Sequence, residues 1–319
     1  MLRRVSELDL SGECQRLGVD LPKVLSVYNF HFWFNGSSAK IVLSLEPPAV
    51  ASVGIDGLAR VYAGEGLDRA ELEERLVSVL GLREDPAEFY RLARSDPLLA
   101  PFASEWAGWR LRGTGLWWAL VTAVCQQNAS FRQGWRMLAK LVNRYGRGVE
   151  LEGEGWVPLP PSPRDVLSDP SKLREAGLGY RADTVVRIAE RFVRGEVPDE
   201  GELARMEAGE AERSLKTVRG VGSYTARLAL ALSARRYELP PIDRWVRALA
   251  SRAYGVSGGE VESAWVNRWG RWSALAVVAL TVALDAAPLR EALARLEAGR
   301  LLPEPGKLSP STLWSFALC

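Results

Sequence analysis

Leu215-Lys-Thr-Val-Arg-Gly-Val-Gly-Ser-Tyr-Thr-Ala-Arg-Leu-Ala-Leu-Ala-Leu232, followed after a short break by Pro240-Pro-Ile-Asp-Arg-Trp-Val246, decides how the chain is read. Leu215 and Val218 lead in, and Thr225, Leu228, Ala229 and Leu232 lead out at helical spacing, so two helices meet at Gly220-Val221-Gly222. The spacing predicts a tight hairpin. Its glycines permit positive φ and carry no Cβ, so backbone N–H groups opening the second helix, around Ser223 and Thr225, can approach a phosphate. A glycine C-cap before a new helix also serves many helical proteins with no ligand, and the glycines alone leave that plainer reading open. Asp243 precedes an apolar-periodic run through Val246, Leu249, Ala250 and Ala253, which is where an N-cap aspartate sits.

With hairpin, prolines and aspartate in this order, the string resembles the signature of the helix-hairpin-helix DNA glycosylase superfamily. The resemblance implies a mostly α chain: an all-helical helix-hairpin-helix core preceded by a small antiparallel β-sheet domain (α+β). It also implies that Asp243 caps its helix and serves as the catalytic carboxylate.

The chain has 319 residues, 47% of them apolar, enough for two or three domains with a real core. No apolar run reaches ~18 residues without a charge, and Met1-Leu-Arg-Arg-Val-Ser-Glu-Leu8 lacks the apolar segment of a signal peptide, so a cytoplasmic, nucleoid-associated protein without membrane contact is expected. Cys14, Cys125 and Cys319 are too few and too scattered for a disulfide framework, a zinc site or an iron–sulfur cluster. The single histidine, His31, has no partner ligands and reads as a strand residue. Net charge is +2, so any footprint for nucleic acid must be local. Arginine outnumbers lysine thirty-five to six, which reads as a base-composition bias of the source more than as phosphate contacts.

Residues 1–24 carry little pattern. From Tyr28 to Phe34 aromatic residues alternate into an Asn35-Gly36 turn signal, predicting a strand and hairpin, with further strands at Ile41, Leu43, Leu45 and at Leu58 to Ala63. Asp68 and Glu71 open a helix that Gly81 stops. Boundaries are therefore placed at 1–84 for a sheet-plus-helix domain, 85–300 for a helical domain with the helix-hairpin-helix at 211–235, and 301–319 for a loosely patterned tail. Thr114 to Cys125 is apolar nearly all round, as a buried central helix would be, and Ser130 caps the next helix. Residues 147–170 read as a proline-rich surface loop.

Gln126-Gln127-Asn128 reads as a polar interhelical turn. The family resemblance implies more: the corresponding turn enters the duplex where a nucleotide has been extruded, work that amide side chains suit. The stretch Gly177-Leu-Gly-Tyr-Arg-Ala182 resembles a segment of the 8-oxoguanine branch in which Tyr180 and Arg181 would lie against DNA near the flipped base. Bifunctional relatives carry a lysine where this chain has Tyr224, and a phenol cannot form an imine, so a monofunctional enzyme without lyase activity is expected. Lys216 is the nearest alternative amine. Tyr224, Trp272, Val277 and Thr281 are the candidates around the flipped base, and the base-reading residues of the known branches are not reproduced at Val277 and Thr281.

The partner implied is double-stranded DNA containing a damaged base, alkylated or oxidised/deaminated, handled by a monomer. No cofactor is implied beyond a monovalent cation at the hairpin carbonyls, which the family alone suggests. A non-catalytic DNA-binding protein using the hairpin as a phosphate module is the alternative, and Asp243 is the residue that separates the two.

Overall fold

The computed structural model describes residues 1–318. Strands β1 (Arg3–Asp9), β2 (Ser38–Leu45), β3 (Pro48–Gly54) and β4 (Leu58–Ala63) form one antiparallel sheet in the order β1-β4-β3-β2. Ile41 stands opposite Ala51, and Ala51 opposite Val61, so one face of the sheet is apolar across three strands. That face packs on Leu72 and Leu76 of the Arg69–Val79 helix and on Val24 and Leu25 of the Leu21–Ser26 helix. Asp68 caps the former through the Glu71 N–H, as its position in the sequence predicts.

The alternation from Tyr28 to Phe34 does not make a strand. Tyr28 adopts a left-handed backbone (φ 52°), and the buried Asn29 amide bonds the Leu25 carbonyl and the Phe30 N–H. Trp33 and Phe34 both donate to the Phe30 carbonyl, closing a turn that buries Phe30, Trp33 and Phe34 together. An aromatic-rich turn packed on all sides mimics the period of two. His31 is exposed on this turn. The unpatterned N-terminus, in contrast, supplies β1, an edge strand in which Ser6 alone is buried. A one-sided edge carries little hydrophobic signal.

Beyond residue 85 the chain is helical apart from one hairpin. The Leu116–Gln126 helix is central and almost wholly buried, and it packs along the Ser223–Ser233 helix, where Ala226 and Ala229 allow close approach. Residues 147–170 are not a surface excursion. They hold β5 (Gly148–Leu151), β6 (Gly155–Pro158) and a Pro163–Ser168 helix with a Ser162/Asp165 capping box. This segment joins the two halves: Leu2 N–H donates to the Glu150 carbonyl (2.7 Å), Trp33 Nε1 to the Pro158 carbonyl (2.8 Å) and Trp117 Nε1 to the Pro161 carbonyl (2.7 Å). Prolines here set extended backbone whose carbonyls are free to accept indole N–H groups. The tail also returns, with the Pro310 carbonyl accepting the Tyr28 N–H and Trp314 edge-on to Phe34.

The helices Ala208–Lys216 and Ser223–Ser233 form the hairpin. Its two glycines differ in kind. Gly220 has φ 100° and a methyl there would run into Thr184 Oγ1, whereas Gly222 has φ −94° and open space around it. Gly220→Ala should therefore lower stability by about 2 kcal/mol or more through backbone strain and overpacking, and Gly222→Ala by less than about 1 kcal/mol. Urea unfolding of the two variants checks this; equal losses would mean that Thr184 yields and that the turn is not set by residue 220.

Candidate active site

Asp243 sits at the mouth of the Arg244–Tyr254 helix, where its Oδ1 accepts the Val246 N–H at 2.8 Å. Arg227, one helical turn into the second hairpin helix, fixes the approach to it. Its Nη1 donates to the Pro240 carbonyl (3.2 Å) and to Glu262 (2.7 Å), while its Nε lies 3.3 Å from the buried Glu212 carboxylate. The hairpin, the Pro240-Pro241-Ile242 segment and the capped helix are thus one braced unit. Gly222 is the N-cap of the Ser223–Ser233 helix and brings no side-chain cap, so the first amides of that helix are left for an outside acceptor. Val221 and Thr225 turn their side chains into the core, and of these two residues only the backbone can serve such a contact. Ser223 Oγ is already engaged by Lys216 Nζ at 3.0 Å.

The carboxyl of Asp243 opens into a cavity of about 910 Å³ shared with Tyr28, Arg112, Gln126, Phe131, Trp135, Tyr224, Trp245, Val277 and Thr281. The residue is exposed toward the cavity, whose walls crowd its carboxyl on the protein side. That desolvation raises its pKa above the ordinary aspartate value, against the lowering effect of the Val246 and Trp245 N–H groups. Tyr224 is pushed up as well, by burial first and by the Asp243 charge second. Tyr28 follows by burial and by its neighbour Tyr224, with Thr281 at its hydroxyl opposing the shift. All three groups stand together.

The aromatic wall was not placed by the sequence. Tyr28 stacks on Trp135 (centroids 5.5 Å apart, 13° between planes), and Phe131 leans on both. Trp135 reads from sequence as an apolar helix position and Tyr28 as a strand residue; the left-handed backbone that swings Tyr28 inward leaves no signal in residue type. Among the pocket candidates named from sequence, Tyr224, Val277 and Thr281 line the cavity. Trp272 does not: it is buried in a second core against Phe89 and Tyr237, with its indole N–H on Glu88 (2.9 Å).

No protein-family profile matches the chain. A DNA-3-methyladenine glycosylase of Bacillus subtilis (strain 168) is 28% identical over 177 residues, a match spanning 55% of this chain and 58% of that protein. Among solved structures, a 3-methyladenine DNA-glycosylase from Archaeoglobus fulgidus superposes with a TM-score of 0.65 at 23% identity, covering 86% of this chain and 97% of that one. The apo 8-oxoguanine glycosylase/lyase of Clostridium acetobutylicum gives 0.65 at 18% identity, covering 88% and 97%. The chain has the fold of the helix-hairpin-helix DNA glycosylase superfamily.

Within that glycosylase fold the Gln126-Gln127-Asn128 turn and the Tyr180-Arg181 pair, separate in sequence, meet. Arg181 donates through Nε to the Gln127 carbonyl (3.0 Å) and through Nη2 to the carbonyls of Gln127 (2.5 Å) and Asn128 (3.2 Å). Gln126 is tucked beneath Gly134 with its Nε2 buried and unpartnered, whereas Asn128 is exposed at φ 50°. Tyr180 is 63% exposed beside the turn, its ring 4.7 Å from the Arg181 guanidinium. Arg181 is thus a strut for the turn. Among the described residues no group of His, Cys, Asp and Glu could hold a metal ion, and no helix is long and apolar enough to cross a membrane.

Because its pKa is raised, Asp243 makes folding stability depend on pH. The folded carboxyl holds its proton at pH values where the unfolded one, near 3.8, has lost it, so folding stability falls as pH rises through that window. Asp243→Asn keeps the cap and escapes this cost, so at neutral pH it should melt at or above the parent temperature, with the difference vanishing toward acid. Thermal melts of parent and variant from acid to neutral pH test it; a variant less stable at neutral pH would mean that the carboxylate stabilises the fold.

Proposed function

We propose that the protein is a monofunctional DNA glycosylase of base excision repair, which extrudes a damaged base from duplex DNA and hydrolyses its N-glycosidic bond. The observation that carries this reading is an acid without a counter-charge, braced at a helix N-terminus, opening into an aromatic-walled cavity beside a hairpin whose amides face outward. A cavity of about 910 Å³ falls within the range that small-ligand sites occupy, and it takes a nucleobase with its sugar at the entrance.

Cleavage of the bond leaves positive charge on the sugar. An enclosed carboxylate stabilises that charge as it develops and accepts a proton from the attacking water. The hairpin amides hold the neighbouring phosphate, so the sugar lies against Asp243. Asn128, on the turn propped by Arg181, fills the gap left by the extruded nucleotide, and Tyr180 lies on the adjacent backbone. Thr217, Arg219 and Gly220 are exposed at the turn, and their carbonyls are oxygen donors of the kind a monovalent cation takes. Such a cation would reinforce phosphate binding and takes no part in the chemistry.

The absence of lyase activity rests on where the amines are. Tyr224 occupies the position next to Asp243, and the two lysines that line the cavity are committed: Lys40 to Glu154 and Ser52, Lys307 to Glu291 and Glu304. Lys216 is on the outer side of the hairpin, bonded to Ser223 and 3.5 Å from Glu212. A free, low-pKa amine beside the sugar is what covalent catalysis requires. The enzyme acts as a soluble monomer on double-stranded DNA in the cytoplasm.

The test is a panel of duplexes carrying single lesions, assayed for free base and for strand breaks, with borohydride present in parallel. Base release that leaves an intact abasic strand and no trapped adduct is expected, and Asp243→Asn should reduce it by a factor of about 100 or more. Salt-dependent duplex binding with no base released from any substrate would favour a non-catalytic binding protein, and a trapped adduct would point to a lysine reaching the sugar.

A further inference from the structure

The cavity holds a second charge without a partner. Arg112 lines it, and its Nη2 donates to the Tyr28 carbonyl at 3.1 Å and more weakly to that of Val27 at 3.5 Å. Its Nε is buried with no acceptor, and burial, with no acid to offset it, pulls the guanidinium pKa down to about 10. Arg235 and Arg295 meet carboxylates, Arg235 2.5 Å from Glu84 and Arg295 2.8 Å from Asp285, whereas Arg112, like the buried Arg110, bonds only backbone carbonyls, and of these last two only Arg112 lines the cavity. Bracing the left-handed Tyr28 does not explain the charge, because a neutral amide could donate to the same carbonyl. A half-buried cation with an unpartnered donor, next to the ring that stacks on Trp135, lines the cavity where the proposed base would lie.

We propose that Arg112 determines specificity by stabilising the departing base, so that the site acts on neutral, carbonyl-bearing lesion bases and discriminates against cationic N-alkylated ones. This rests on the glycosylase reading. When the C1′–N bond of a neutral base breaks, its electron pair leaves with the base, which becomes an anion with charge spread onto its carbonyl oxygens. Water oxygen bonds C1′, the water proton passes to the Asp243 carboxylate, and the base anion takes a proton from solvent. A fixed guanidinium gains interaction as that anion forms, which lowers the barrier. A base already cationic leaves as a neutral molecule and gains nothing from Arg112, while its bound form is repelled. Asp243 and Arg112 then act at opposite ends of one bond, one on the sugar cation and the other on the base anion.

The experiment measures single-turnover release from duplexes carrying hypoxanthine, uracil or 8-oxoguanine against duplexes carrying 7-methylguanine or 3-methyladenine. The enzymes compared are the parent, Arg112→Gln and Arg112→Lys. The parent should favour at least one neutral lesion; Arg112→Gln should shift the neutral-to-cationic rate ratio by about tenfold or more toward the cationic bases, and Arg112→Lys should keep most of the preference. A parent that prefers the cationic bases, or a Gln variant in which both classes fall by one common factor, overturns the proposal and leaves Arg112 as a brace. A second readout needs neither chemistry nor a variant: quenching of parent tryptophan fluorescence by 9-methylhypoxanthine against the permanently charged 3,9-dimethyladeninium ion. The neutral base should bind about tenfold more tightly, and equal affinity overturns the proposal. That preference without release from any duplex would refute the glycosylase reading while leaving the charge preference standing.

Discussion

The structure turns on a carboxylate that forms no ion pair among the described residues. Asp243 is held by a backbone N–H at 2.8 Å, inside a cavity whose walls raise its pKa, and no arginine or lysine is brought to it as a pair. Partly desolvating an unpaired acid costs stability, and the surrounding fold supplies the rigidity that maintains it. Arg227 carries much of that burden. By holding the Pro240 carbonyl and reaching both Glu212 and Glu262, it spends its own charge on the brace and leaves Asp243 free. The hairpin beside it presents unengaged amides. Acid and amides are therefore fixed relative to one another before any ligand arrives, which is the condition for electrostatic stabilisation without reorganisation.

The sheet domain is part of the site. Tyr28 leaves the Leu21–Ser26 helix in a left-handed conformation that Arg112 and the Pro310 carbonyl hold from either side, and its ring lands on Trp135 of the helical core. Three distant segments of the chain thus converge on one residue, two on its backbone and one on its ring. The hairpin β5–β6 and its prolines lock the halves together through Leu2, Trp33 and Trp117. The cavity lies where the sheet-bearing half and the helices meet, so its shape depends on both.

Much of this was legible in the sequence. Glycines at 220 and 222, prolines at 240 and 241 and an aspartate ahead of an amphipathic run encode local backbone geometry, and local geometry is what residue type reports best. Helix starts at Asp68 and Ser130 were readable for the same reason. The aromatic wall was not, because stacking of Tyr28 on Trp135 is a contact over more than one hundred positions that no periodicity records. Trp272 illustrates the converse: a tryptophan three residues after another, near a helix start, looks equally like pocket or core, and Phe89, Tyr237 and Glu88 make it core. The proline-rich stretch misled because proline marks both exposed loops and extended backbone packed against indoles.

The proposed chemistry requires that the cavity-facing Asp243 carboxylate prefer a cation at the sugar position. The most direct measurement compares the affinity of parent and Asp243→Asn for duplexes bearing a protonated pyrrolidine abasic-site mimic and a neutral tetrahydrofuran one. The account predicts that the parent binds the cationic mimic more tightly by a factor of about 100 and that the variant loses that preference while retaining affinity for the neutral mimic. Equal binding of the two mimics by the parent would contradict it.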